Sequence, residues 1–254
     1  MAQNIYDDPE FFAGYTQLDR QVRGLDGAAE WTSLQAMLPA ITDARVLDLG
    51  CGFGWFSRWA IEQGATSAHG IDLSERMLER ARADTDSLSI TYERADLDVV
   101  RLPAKAFDLV FSSLTLHYVE DVARLFDSVA DALCESGSFV FSVEHPILSA
   151  PSKQQFEHLD HERTVWPLEN YLVEGTRATN WFADGVIKHH RTIATYANQL
   201  VAAGLAVQEL CEWGPDADAI AANPHLARDL HRPWFLLVRA TKNQQQQMLR
   251  PQGT

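Results

Sequence analysis

The chain has 254 residues, 46% of them hydrophobic and 22% charged, with 21 Lys plus Arg against 35 Asp plus Glu. That composition suits one globular domain, 1–254, with enough chain to bury a sizeable core, and it excludes wholesale disorder. A formal charge of −14 without any Lys/Arg-rich run argues against a nucleic-acid partner, because phosphate backbones are repelled.

No apolar stretch reaches the roughly 18 residues a membrane span needs, so no membrane association is expected. The opening MAQNIYDDPEFF lacks the basic-then-apolar order of a signal peptide. Cys51, Cys134 and Cys211 are odd in number and widely spaced. They suggest neither a disulfide framework nor a metal site, and a cytoplasmic location is expected. No heptad or long apolar stripe assigns an oligomeric state.

Residues 1–27 are polar and aromatic and read as an arm or short helices. Residues 28–38 have helical apolar spacing and stop at Pro39. An alternating series follows. Residues 45–49 form a buried strand and 54–64 a helix ending at Gly64. Residues 67–71 form a second strand, and 75–84 a helix capped by Ser74. Strands are expected at 89–93 and 107–112, a helix at 121–133, a turn at Glu135-Ser136-Gly137 and a strand at 138–143. This alternation implies a parallel sheet with helices on both faces. Residues 146–190 hold prolines, aromatics and charges, without clear period up to 185, and read as an inserted substrate cap. A helix at 193–203 closes on Gly204, and strands at 205–212 and 234–240 bring the count to seven. The segment 242–254 reads as a flexible tail.

Gly50, Gly52 and Gly54 lie between the first strand and its helix. Glycine there permits unusual dihedrals and close approach of a ligand, at the carboxyl end of a strand, where open α/β sheets bind ligands. A dinucleotide turn has the spacing G-x-G-x-x-G and cradles a pyrophosphate. Here the spacing is G-x-G-x-G, and Asp48 stands two residues before the first glycine. A carboxylate there opposes a pyrophosphate and suits a ligand with cationic ammonium and sulfonium groups. Asp72, at the end of the second strand, can accept both hydroxyls of a ribose.

The segments VLDLGCGFG (46–54), GIDLSERMLERAR (70–82), RADL (94–97), FDLVFSSLTLHYV (107–119) and LCESGSFVFS (133–142) together resemble the class I S-adenosylmethionine-dependent methyltransferases, of the broad group that includes quinone and small-molecule methyltransferases. FFAGYTQLDRQVRGLDGAAEW, FSVEHPI and HRTIATY also resemble a set of bacterial methyltransferases. The resemblance implies a Rossmann-like doubly wound sheet of seven mostly parallel strands with an antiparallel last hairpin.

It also implies roles at matching positions. Gly50, Cys51 and Gly52 hold the methionine part of S-adenosylmethionine, and Asp48 supports its amino end. Asp72 takes the ribose hydroxyls, with Leu73 and Met77 toward the adenine. Asp96 accepts from the adenine amino group, Leu97 offers backbone contact and Ser112 sits beside the methionine. Tyr15, Arg20 or Arg23 in the arm reach its carboxylate.

Methyl transfer is an in-line displacement, so alignment supplies much of the rate and a general base helps a protonated acceptor. His117 follows the fourth strand, with Tyr118 beside it as a substrate contact. Glu144 and His145 follow the fifth strand at the expected pocket rim, although neighbours on an extended chain face opposite ways. The basic run KHHRT, 188–192, offers His190 and Arg191 to an anionic substrate group. Trp181, with Trp166, Tyr171 and Phe182, either walls a pocket or forms the cap's own core. The expected reaction moves a methyl to oxygen, nitrogen or carbon of a small molecule. The alternatives are a non-catalytic S-adenosylmethionine-binding protein, a nicotinamide-dependent oxidoreductase, which Asp48 opposes, and an RNA methyltransferase, which the charge opposes.

Overall fold

A computed structural model describes residues 3–159 and 164–243. The arm forms helices α1 (Pro9–Tyr15) and α2 (Asp19–Val22), followed by α3 (Trp31–Met37). The alternating body is β1 (Arg45–Leu49), α4 (Trp55–Glu62), β2 (Ser67–Asp72), α5 (Glu75–Ala83), β3 (Ile90–Arg94), β4 (Phe107–Ser113), α6 (Val122–Ala132) and β5 (Leu133–Glu144). An antiparallel hairpin follows, β6 (Gly175–Trp181) and β7 (Ala183–His190). The chain closes with α7 (Ile193–Ala202), β8 (Leu205–Trp213), α8 (Ala217–Ala222) and β9 (Phe235–Lys242).

One seven-stranded sheet has the order β8-β9-β5-β4-β1-β2-β3. Strands β1 to β5 pair in parallel, whereas β9 runs antiparallel to both β5 and β8. The pleat sends successive side chains to opposite faces. Val46, Leu109, Phe111 and Val140 join one apolar layer with Trp31, Leu34 and Phe56. Leu47, Val110, Phe139 and Phe141 join the other, with Leu125, Phe126 and Leu200. Burial on both faces explains why the central strands read as apolar runs without alternation. In α6 the buried Val122, Leu125, Phe126 and Val129 recur at helical spacing, and Asp121 caps the helix by accepting from Arg124 N at 3.0 Å. Ser74 caps α5 by accepting from Met77 N.

Three features depart from the sequence expectation. Strand β5 runs through Glu135-Ser136-Gly137, absorbing the anticipated turn as a register shift against β4, with Ser136 at φ +64°. The segment 146–190 contains the hairpin β6–β7, whose period the sequence hides. Lys242 belongs to β9 and donates from Nζ to Leu133 O at 2.7 Å, because the pairing of β9 with β8 extends that far. The remaining anticipated tail, 244–254, lies outside the described residues. Among the described residues no helix is long and apolar enough to cross a membrane.

The chain leaves β1 toward β2 and β3, then crosses back to β4 and β5. The sheet order therefore reverses between β1 and β4, which opens a crevice at their carboxyl ends. The glycine turn after β1 and the segment Ser113–Thr115 after β4 flank that crevice.

Candidate active site

The three glycines of the turn have positive φ but different neighbours. A Cβ on Gly50 would lie 2.1 Å from Thr115 Oγ1, so glycine lets the two lips of the crevice touch. A Cβ on Gly52 would meet nothing within 4 Å, so that backbone faces open space. The N–H groups of Gly50 and Cys51 donate to Ile71 O at 2.7 and 3.0 Å, which fixes the turn against β2. Gly52 N donates to Asp72 Oδ2 at 2.9 Å, and Ser74 N donates to Oδ1 at 2.9 Å. Among the described residues no basic side chain pairs with Asp72, and burial pushes its carboxyl above the ordinary range despite these bonds.

A cavity of about 400 Å³ opens here. Gly50, Gly52, Asp72, Leu73, Met77, Asp96 and Leu97 line it, together with Ser113, Leu114 and Tyr118. Asp96 also starts a turn, accepting from Asp98 N at 2.9 Å, and the Leu97 carbonyl accepts from Arg124. A recess of about 80 Å³ continues past the glycine turn, lined by Asp48, Cys51, Arg20 and Tyr15 among others. Asp48 is buried, with Oδ2 accepting from Ser57 Oγ at 2.8 Å. Burial raises its carboxyl from 3.8 to about 7, and the Ser57 hydroxyl opposes only part of that rise.

A third cavity, of about 340 Å³, lies on the far side of Tyr15. Tyr6, Leu114 and Tyr118 line both this space and the 400 Å³ one, and Tyr15 lines all three. His117, Glu144, Trp181, Trp234 and Phe235 form the rest of its inner wall. Glu144 N donates to His117 Nδ1 at 3.4 Å, and Lys188 Nζ donates to Glu144 Oε1 at 2.5 Å. Burial pushes the His117 imidazole down to about 3, so it is neutral. Burial works to raise Glu144, but the neighbouring His117 and Lys188 win and hold it below the usual range.

The arm roofs these spaces. Gln3 is tied to β7, donating to Gly185 O at 3.0 Å and accepting from Ile187 N at 2.9 Å. Asp7 accepts from Ser74 Oγ at 2.6 Å, and Tyr6 Oη donates to Tyr118 Oη at 3.2 Å. Arg20 reaches the recess but is ion-paired with the buried Glu30.

Several anticipated site residues lie elsewhere. Arg23 pairs with Asp19 on the surface, because the chain turns at Gly24 and carries it outward. Ser112 is buried, donating to Leu49 O at 2.8 Å, and its neighbour Ser113 takes the lining position. His145 faces opposite to Glu144. Its Nδ1 accepts from Ile147 N at 3.1 Å at the start of the one-turn helix Pro146–Ser149, and its Nε2 bonds Glu212 at 3.0 Å. His190 is enclosed by Ser149 Oγ and Tyr171 O, both at 2.9 Å. The Arg191 guanidinium donates to the carbonyls of Val119 and Glu120 at 2.6 Å each, so it braces the segment after Tyr118. The sequence reading passed over Lys188, Glu30, Trp234 and Ser113. Only Lys188 left a trace, as the first residue of the basic run.

A methyltransferase-domain family model matches residues 47–141. A crystal structure of an S-adenosylmethionine-dependent methyltransferase from Mesorhizobium loti is 56% identical, covers 86% of this chain and 100% of that one, and superimposes with a TM-score of 0.82. This chain belongs to the S-adenosylmethionine-dependent methyltransferases. An uncharacterized protein of Haemophilus influenzae is 32% identical over 251 residues, 94% of this chain and 97% of that one. The malonyl-[acyl-carrier protein] O-methyltransferase of Enterobacter lignolyticus is 38% identical over 110 residues, 43% of each chain.

S-adenosylmethionine is therefore the methyl donor of this enzyme, and it supplies a methyl carbon activated by a positive sulfur. The residues present fit such a group. Asp72 is a half-buried carboxylate with no cationic partner among the described residues and can accept two hydroxyls. The open face of Gly52 admits close approach. Among the described residues no group of His, Cys, Asp and Glu could hold a metal ion.

Proposed function

We propose that this methyltransferase acts on a small molecule bound in the 340 Å³ cavity, with the methyl passing beside Tyr15 to oxygen, nitrogen or carbon. The observation that carries this reading is the shared wall of Tyr6, Tyr15, Leu114 and Tyr118, which joins that cavity to the one at the glycine turn. On the donor side, Asp72 takes the ribose hydroxyls. Leu73, Met77, Asp96 and Leu97 surround the adenine. Gly50, Cys51, Gly52 and Asp48 flank the methionine, and Arg20 and Tyr15 approach it from the arm. On the acceptor side, Tyr118 and Trp181 position the substrate, His117 offers a neutral imidazole and Glu144 offers a carboxylate. His145, His190, Arg191 and Arg23 take structural roles.

The walls contribute by alignment and exclusion of water, which can replace much of the need for chemical activation. An acidic chain with three unpaired cysteines suits a small-molecule enzyme of the cytoplasm, with no nucleic-acid partner. Calorimetry with S-adenosylhomocysteine tests the donor half, and absence of binding to the folded chain removes it. Transfer of labelled methyl into a metabolite extract tests the acceptor half. Label appearing in RNA instead of small molecules refutes it.

A further inference from the structure

The 340 Å³ cavity brings together many rings, several carboxylates and little free positive charge. Glu30 and Glu144 line its inner part, against the single guanidinium of Arg20, while Asp19 at its rim is exposed and paired with Arg23. Arg20 is committed to Glu30, and Lys188 behind the wall is committed to Glu144. Oε2 of Glu30 and Oε2 of Glu144, both buried, accept no hydrogen bond from the described residues. The rings of Tyr6, Tyr15, Tyr118, Trp181, Trp234 and Phe235 complete the enclosure. Ring faces with carboxylates attract ammonium groups. Lys188 displays that chemistry at the edge of the cavity, with Nζ 5.1 Å from the Trp181 ring centre, 5.8 Å from that of Tyr118 and bonded to Glu144.

We propose that the methyl acceptor is the nitrogen of a small, ring-bearing or otherwise apolar amine, held by these ring faces and by Glu144. This rests on the small-molecule reading above and narrows it. An anionic acceptor would bring a charge into a space whose cations are already taken, and would face carboxylates instead.

The chemistry of transfer favours the same class. The amine, freed of its proton to solvent by way of Glu144, uses its lone pair to form the N–C bond. The C–S bond breaks with its electron pair left on sulfur, and the positive charge passes from sulfur to nitrogen. The product is an ammonium, so no proton need leave during the transfer. A hydroxyl acceptor must lose its proton as the bond forms. Neither neutral His117, pushed down to about 3, nor Glu144, held below the usual carboxylate range, is a strong base for that.

The test uses the full chain saturated with S-adenosylhomocysteine and three probes of similar skeleton: phenethylamine, 2-phenylethanol and phenylacetate. Calorimetry should find the amine bound at least tenfold more tightly than the alcohol, with no binding of phenylacetate. Glu144→Gln should weaken amine binding at least fivefold while S-adenosylhomocysteine affinity, which reports the fold, stays unchanged. With labelled S-adenosylmethionine, the amine should become the N-methyl product. Tighter binding of the alcohol or the carboxylate, or binding of none of the three, overturns the amine assignment. Failure to bind S-adenosylhomocysteine at all would instead remove the donor site on which the assignment rests.

Discussion

Asp48 offers a measurement of what the donor site costs the fold. Its carboxyl is buried behind the glycine turn and raised from 3.8 to about 7, chiefly by burial. A folded-state value above the unfolded one means that the native chain holds a proton which the unfolded chain has lost. The Asp48 contribution is therefore most favourable at or below about pH 4 and worsens as pH rises toward 7, and above that the full cost of burying the charge is present. At about 1.4 kcal/mol per pKa unit, that cost is on the order of 4 kcal/mol. Asp48→Asn retains the size of the side chain and a partner for Ser57, and removes the ionisation. In a domain this large, about 1 kcal/mol moves the melting temperature by roughly 2–4 °C. Asp48→Asn should therefore melt on the order of 10 °C higher than the parent at pH 8 and at nearly the same temperature at pH 4, by thermal fluorescence without ligand. The same change should weaken S-adenosylhomocysteine, whose ammonium loses a counter-charge. Equal shifts at both pH values, or a variant less stable at pH 8, would refute the burial argument.

Asp72→Ala should weaken S-adenosylhomocysteine by about 100-fold or more, because two hydrogen bonds to a charged acceptor contribute roughly 1.5–3 kcal/mol each; calorimetry showing unchanged affinity would remove Asp72 from the donor site. Gly52→Ala should fold with a loss of about 1 kcal/mol for its positive φ, yet bind the ligand poorly, since the new methyl points into open space. Gly50→Ala should lose more stability than Gly52→Ala, because its methyl would collide with Thr115. Denaturant titration ranks the two, and the opposite order would contradict the roles assigned to these glycines.

The half of the fold up to β5 was readable because its signals are local. Leu109–Phe111 is a continuous apolar run, Val46–Leu49 is one broken only by Asp48, and Ser74 and the glycine turn mark where strands give way to helices. The hairpin β6–β7 escaped for a physical reason. The buried positions of β7 are Val186, Lys188 and His190. Two of those three are polar and are satisfied by Glu144, Ser149 and Tyr171, partners distant in sequence. A pattern that looks for apolar side chains on the inward face cannot find such a strand. The lining of the 400 Å³ cavity follows the same principle, since Gly50, Gly52 and Asp72 sit within one strand–turn–helix unit and the next strand. The 340 Å³ cavity assembles Tyr15, Glu30, His117, Glu144, Trp181 and Trp234 from six separate segments, and no spacing along the chain records that meeting. Glu144 and His145 show the limit most sharply. They are adjacent in sequence, yet one lines a cavity and the other caps a helix turn, and strand alternation alone could not say which.

The neighbour of Glu144 in space, His117, allows the proton chemistry to be tested directly. Its imidazole is enclosed, and burial pushes it down to about 3, with Lys188, Arg191 and Arg20 adding to that effect and Glu144 opposing it. The N–H of Glu144 points at Nδ1, which assigns the proton to Nε2 and makes that edge a donor. A histidine unprotonated in the fold but ordinary when unfolded stabilises the chain fully above pH 6.5, and that contribution is lost as pH falls toward 3. Nitrogen-detected NMR of the folded chain should therefore show the neutral Nε2–H form unchanged from pH 8 to pH 5. Its activity counterpart is His117→Asn, which keeps an acceptor for the Glu144 N–H. Loss of a general base ordinarily costs about 10²–10⁴ in rate, whereas a donor wall that positions the acceptor should cost about tenfold or less. A His117 resonance titrating between pH 6 and 7, together with a thousandfold loss in the Asn variant, would make His117 the base and leave Glu144 only its anchor.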